Sequence, residues 1–190
     1  MILTAQHLGA NDLAAFIARD SGMIRLLQCV ADLGQPDCWI GGGCIRNAAW
    51  EWLHGRTADC ARFNDVDVVF FDGTNASAPY DRAIETTLAA RAGDVPWSVK
   101  NQARMHARNG QPPYRDIADA VARWPETATA IAARLTNGRV ELLAPHGVQD
   151  LIGLIVRPTP AFSARPHEVA RRLREKKWLI RWPRLCTVGI

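Results

Sequence analysis

Leu13, Phe16 and Ile17 recur at helical spacing behind Asn11, and Ile24, Leu27 and Val30 repeat the pattern behind Ser21. Two N-capped helices are therefore predicted within residues 11–33. Gly34 and Pro36 stop that periodicity, and Cys38-Trp39-Ile40 forms a short apolar strand that runs into Gly41-Gly42-Gly43. From Ile45 to His54 the helical period returns, with Ala48, Ala49, Trp52 and Leu53 on the buried side. Strand, glycine turn and helix are thus consecutive.

A polar stretch from Gly55 to Asn64 precedes the β-branched and aromatic run Asp65 to Asp72, the clearest strand in the chain. Beyond it the pattern predicts a helix over Pro79–Ala92, a strand at Trp97–Val99 and a helix over Gln102–Arg108 closed by Asn109-Gly110. A short helix over Asp116–Trp124 follows. Ala130–Leu135 and Arg139–Ala144, joined at Thr136-Asn137-Gly138, form a β-hairpin, because Asn-Gly supplies the positive φ angles that a tight hairpin needs. A basic terminal helix spans Pro166–Arg181. No repeat, low-complexity tract or long linker interrupts residues 1–190, which predicts a single domain.

Composition narrows the class. With 190 residues, 48% hydrophobic and 22% charged, the chain can bury a sizeable core and is not a disordered tail. No apolar run approaches the roughly 20 residues of a membrane span. Residues 1–11 lack the basic start and apolar middle of a secretory signal, so a soluble, cytoplasmic protein is expected. The five cysteines Cys29, Cys38, Cys44, Cys60 and Cys186 include no Cys-x-x-Cys pair, which points to reduced thiols. The net charge of +4 is uneven: residues 165–184 carry eight basic and two acidic side chains, leaving the rest of the chain at −2. Such a segment suits either a polyanion or a solvated helix face. Trp178, Leu179 and Trp182 in the same stretch favour packing on the core over a nucleic-acid grip.

Two acids stand out. Strand alternation puts Asp65 and Asp67 on one face, about 7 Å apart, with Val66, Val68 and Phe70 on the other. Like charges at that distance repel unless a cation lies between them, and magnesium suits one or two carboxylates plus water and phosphate oxygens. A plain surface end to a strand is the alternative. The Gly41-Gly42-Gly43 turn lets backbone N–H groups approach an anion at a helix N-terminus, and Arg46 in the first turn offers a planar fork for phosphate. The turn matches neither the Walker pattern nor Gly-x-Gly-x-x-Gly. Cys44 fits a small buried hydrophobe, and Trp39, Trp50, Trp52 and Trp97 fit the core.

Trp39 to Asn47 followed by Asn64-Asp65-Val66-Asp67-Val68 resembles the DNA polymerase β type nucleotidyltransferase superfamily. The chain is more closely similar to an uncharacterised bacterial branch described simply as nucleotidyltransferase family proteins. That branch also carries stretches like Val99 to His106, Arg123 to Ala128, and Leu142 to Pro145 with Gly147 and Asp150. The resemblance runs from about Pro36 to Arg184. It implies an α/β (α+β) fold with a mixed β-sheet flanked by helices. It also implies a nucleoside triphosphate substrate and Mg2+ or Mn2+ held by acidic residues. Gly42, Gly43, Arg46, Lys100 and Asn101 are the implied nucleotide-binding residues, with Gln102 and Arg104 either in the cleft or at an exposed helix start. His106 stays outside the catalytic set. Asp65, Asp67 and a third carboxylate are the implied catalytic and metal-binding set. For the third, Glu141 is expected between Val140 and Leu142 on the hairpin's second strand, and Asp150 is the alternative. Asn47 stands where polynucleotide-adding relatives commonly carry an acid, so the acceptor stays open and nucleic acid is not favoured. The competing function is a degenerate member of the fold that binds nucleotide or nucleic acid without turnover.

Overall fold

In the computed structural model, residues 8–57 and 65–190 are described; Cys60, Asn64 and most of the polar stretch before Asp65 lie outside them. The predicted N-terminal helices are α1 (Ala10–Arg19) and α2 (Ser21–Ala31). The helices begin at Gly9 and Asp20, however, and Asp20 caps α2 by accepting the Met23 N–H at 2.9 Å. Then come β1 (Trp39–Gly41), α3 (Gly43–Leu53), β2 (Val66–Phe70), α4 (Ala78–Arg91) and β3 (Trp97–Asn101). The second half holds α5 (Gln102–Arg108), α6 (Ile117–Ala122), β4 (Ala132–Thr136), β5 (Arg139–Leu143), α7 (Gln149–Ile152) and β6 (Ile155–Val156). The chain closes with α8 (Pro166–Glu175), α9 (Trp178–Arg181) and β7 (Cys186–Thr187).

Five strands form one sheet in the order β3-β2-β1-β4-β5, with β2 and β3 parallel and every other neighbour antiparallel. The β4–β5 turn is Asn137-Gly138, both at positive φ, as the hairpin signal requires. β6 and β7 pair separately, a two-residue contact with no periodicity to announce it.

Register sorts the sheet's residues into two faces. Val68, Ile40 and Ala133 align across β2, β1 and β4 and enter the main core with Leu13, Leu27, Ile45, Trp50 and Leu88. Val69, Trp39 and Ala132 face the other way, where Ile117 and Val121 of α6 cover them. Asp67, two residues before Val69, shares that second face. α6 covers only part of it, and the uncovered part becomes the wall of a cavity.

The basic terminal segment folds as two helices. Lys177 takes the left-handed conformation (φ 52°, ψ 37°), which ends α8 and redirects the chain into α9. Trp178 and Trp182 pack edge-on against Trp50 of α3, with ring centroids 5.4 and 5.0 Å away. Both rings are buried. Among the described residues no helix is long and apolar enough to cross a membrane.

Candidate active site

A cavity of about 490 Å³ opens where the C-terminal end of β1, the glycine turn, the start of β2 and the α8–α9 bend converge. Its volume lies in the range of small-molecule sites. Gly42, Gly43, Arg46, Asp65 and Asp67 all line it.

The glycines are there for space. A Cβ on Gly41 would stand 2.6 Å from the ring of Trp124, so only glycine lets that ring close over the strand end. Gly42 has φ 58°, and a Cβ there would meet Trp124, Thr129 and the Asp67 carboxylate. Its N–H donates to Ile131 O at 2.9 Å, so Gly42 shapes the turn and its amide is already used. α3 starts immediately afterwards, which puts the positive end of an 11-residue helix at the cavity.

Arg46 is 3% exposed. Its Nη1 donates to Thr129 Oγ1 at 2.8 Å, and its Nε and Nη2 both donate to Asn47 Oδ1 at 3.2 and 2.9 Å. The guanidinium lies 4.2 Å from the Trp178 ring centroid and 5.1 Å from that of Trp50. Burial lowers its pKa to about 10, Glu126 opposing and Arg172 reinforcing that shift, so Arg46 is cationic at neutral pH. Its hydrogen-bond acceptors are neutral, and among the described residues no carboxylate lies within ion-pair distance of it.

Asp65 is exposed and Asp67 half-buried. Burial and the neighbouring Asp65 charge raise the Asp67 pKa, against a hydrogen bond from Ser98 and the charges of Lys100 and Lys176. Ser98 is its register partner on β3. No local sequence pattern marks Ser98 for this place, because only the parallel β2–β3 pairing puts it there. Lys100 lies two pairs further along, opposite Val69, within electrostatic reach of Asp67, and its ammonium donates to Val99 O at 2.9 Å.

Several expected site residues stand elsewhere. Glu141 shares the sheet face of Asp67 but sits on the edge strand β5, three strand spacings from β2, about 14 Å. Its carboxylate accepts from Arg134 Nε at 2.7 Å, and Arg134 stacks on Trp39 between it and β2. Strand alternation foretold the face correctly; only the strand order reveals the lateral separation. Asp150 is bound by Arg157 at 2.8 Å and by Thr127 Oγ1 at 2.7 Å, away from the cavity. Among the described residues, no three His, Cys, Asp or Glu side chains group closely enough to hold a metal ion. Asn101 is fully buried, and its amide donates to Asp72 O and Asn75 O and accepts from Asp72 N and Ala103 N. Gln102 is buried and Arg104 pairs with the buried Asp81, so neither is an exposed helix start nor a cavity residue.

Two carboxylates on one wall, without an ion-pair partner among the described residues and one with a raised pKa, are a donor set suited to a hard divalent cation that completes its shell with water and phosphate oxygens. Arg172 of α8, Arg181 of α9 and the linking Lys176 and Lys177 line the same cavity, although basic residues of this segment were expected on a solvated face. The periodicity located their helix but not the side it turns to the sheet.

A mixed sheet with a glycine turn, an arginine-bearing helix and paired acids around one cavity defines a nucleotidyltransferase fold. Residues 28–187 match the family described as nucleotidyltransferase, and the chain belongs to that family and is a nucleotidyltransferase. A solved NMR structure described as revealing a CCA-adding enzyme head domain superimposes with a TM-score of 0.83 at 28% identity, covering 98% of this chain and 100% of that one. A CCA-adding enzyme in complex with CTP aligns at 14% identity with a TM-score of 0.58, covering 95% of this chain and 43% of its own. The Thermotoga maritima CCA-adding enzyme complexed with tRNA aligns at 16% identity and a TM-score of 0.54, covering 85% and 40%. These last two share the fold, and this chain spans less than half of their length. No curated protein sequence matches the chain.

Proposed function

We propose that this chain transfers a nucleoside monophosphate from a nucleoside triphosphate to an acceptor hydroxyl with the help of a divalent cation, magnesium or manganese. The observation that carries the reading is the sharing of one cavity by Asp65, Asp67, the Gly42–Gly43 turn and Arg46. Asp65 and Asp67 would hold the cation. When bound, it supplies charge neutralisation on the phosphates and lowers the pKa of the attacking hydroxyl. The acceptor hydroxyl loses its proton to solvent and its oxygen bonds to the α-phosphorus as the bond to the bridging oxygen breaks, and pyrophosphate leaves with that electron pair.

The chain's own groups fit this chemistry. Gly42 and Gly43 leave room for phosphate beside Asp67, and the α3 N-terminus favours negative charge there. Arg46 brings a fixed positive charge whose geometry is set by Asn47, Thr129 and two indole rings before any ligand arrives. The CCA-adding relatives solved with CTP and with ATP are consistent with a triphosphate substrate.

Calorimetry with manganese and a non-hydrolysable triphosphate tests the proposal. Asp67→Asn should weaken binding at least about tenfold, near 1.4 kcal/mol, while wild type releases pyrophosphate from a labelled triphosphate. Equal affinity in the variant would remove the metal assignment.

A further inference from the structure

The α8–α9 bend places two lysines where the sheet has placed two acids. Lys176 and Lys177 line the same cavity as Asp65 and Asp67, and the Lys176 charge is felt at Asp67. The other two basic residues that this segment brings to the cavity are already engaged. Arg172 pairs with the buried Glu126 at 2.6 Å, and Arg181 with Glu51 at 2.9 Å. Among the described residues, neither Lys176 nor Lys177 makes an ion pair or side-chain hydrogen bond.

The backbone adds a second, independent observation. Lys177 is left-handed at φ 52°, a conformation that glycine adopts without cost and a long side chain does not. Strained residues of this kind persist where the surroundings over-determine them, and they concentrate at ligand clamps. The surroundings here are explicit. Trp178 and Trp182 on one side of the bend are buried against Trp50, and Val169 and Leu173 on the other are buried in the same core. The bend is therefore held from both ends, and the two lysines are carried on a rigid support.

We infer that Lys176 and Lys177 grip the β- and γ-phosphates of the triphosphate, so that the C-terminal bend is the pyrophosphate-holding side of the site. This rests on the nucleotidyl-transfer reading above. Lys176 and Lys177 are exposed yet line the same cavity as the acid pair, whereas Arg171 and Arg174, equally exposed, lie outside it. An ammonium is a compact charge suited to terminal phosphate oxygens, and with Arg46 it would balance the charge that builds on the departing group.

Calorimetry in manganese buffer with a non-hydrolysable nucleoside triphosphate and with the matching monophosphate provides the test. The double variant Lys176→Gln/Lys177→Gln should bind the triphosphate about 20-fold or more weakly and the monophosphate within about threefold of wild type, as expected for lost charge-assisted contacts. Unchanged triphosphate affinity, or equal weakening of both ligands, would overturn the inference. So would loss of RNA binding with triphosphate affinity intact. Lys177→Gly separates side chain from backbone: it should melt no lower than wild type, yet bind the triphosphate several-fold more weakly, and full affinity in it would remove Lys177 from the grip. Wild type that binds no triphosphate would end the nucleotidyl-transfer reading together with this one, while variants that bind as wild type does would end this one alone.

Discussion

Arg46 and Asn101 are both buried polar residues that the sequence marks as candidates, and their partners separate their roles. Arg46 is held by two neutral acceptors and two indole faces, so its charge is left for whatever enters the cavity. Asn101 spends its amide on the chain itself. It caps α5 through Ala103 N and ties the Asp72–Asn75 turn to the end of β3. Asn101→Ala should therefore cost stability, about 2–4 kcal/mol, because a cap is lost and buried turn groups lose their partners. Urea denaturation reads that cost, and calorimetry on the folded variant should find triphosphate affinity within about twofold of wild type. A large affinity loss in a fully folded variant would restore Asn101 to the nucleotide site. Residue type alone does not distinguish the two cases, since an amide serves a ligand and a turn with the same atoms.

At the scale of elements, what was legible in the sequence followed from local pattern. The hairpin was written in Asn137-Gly138, the strand–turn–helix in Trp39 to Leu53, and the acid-bearing face of β2 in its alternation. What was not legible depends on placement. The break at Lys177 has no turn residue to announce it, and the strand order that separates Glu141 from Asp67 is a property of the whole sheet. The tryptophans at 178 and 182 did foretell that the terminal segment packs inward. α9 and the residues after it are fastened to α3 and its C-terminal end by those rings, by Arg181 on Glu51, and by Arg56 and Arg184 on the carbonyls of Arg181 and Leu53. Trp182→Ala should thus act as a core truncation worth about 3–5 kcal/mol, visible as a lower urea midpoint with unchanged slope. A loss under about 1 kcal/mol would mean that the segment adheres mainly by its charges.

For the whole molecule, the acids pull the pH dependence of stability in opposite directions. Asp150 is pushed up by burial, but the Arg157 and Thr127 hydrogen bonds outweigh that and lower its pKa. Its contribution is therefore present above the unfolded carboxylate pKa, about 3.9, and is lost as pH falls through the lower folded value. Asp67 has the opposite sign. Burial first, and Asp65 second, raise its pKa in the folded state, so the folded chain holds that proton more tightly than the unfolded one. Stability then declines as pH rises from the unfolded pKa through the folded one, and above the folded value the ionised Asp67 is a standing cost to the fold. Asparagine escapes that cost and can still accept the Ser98 hydrogen bond. Asp67→Asn should accordingly melt higher than wild type at pH 7 without divalent cation, with the difference shrinking toward pH 3. Manganese should raise the melting temperature of wild type, by binding the folded state and neutralising the pair, and should do much less for the variant. Thermal melts of both proteins across pH 3–8, with and without manganese, measure all of this. A variant that melts lower than wild type at pH 7 would show that Asp67 serves the fold, whereas one that melts higher and gains little from manganese would mark the acid pair as kept for its ligand at the expense of stability.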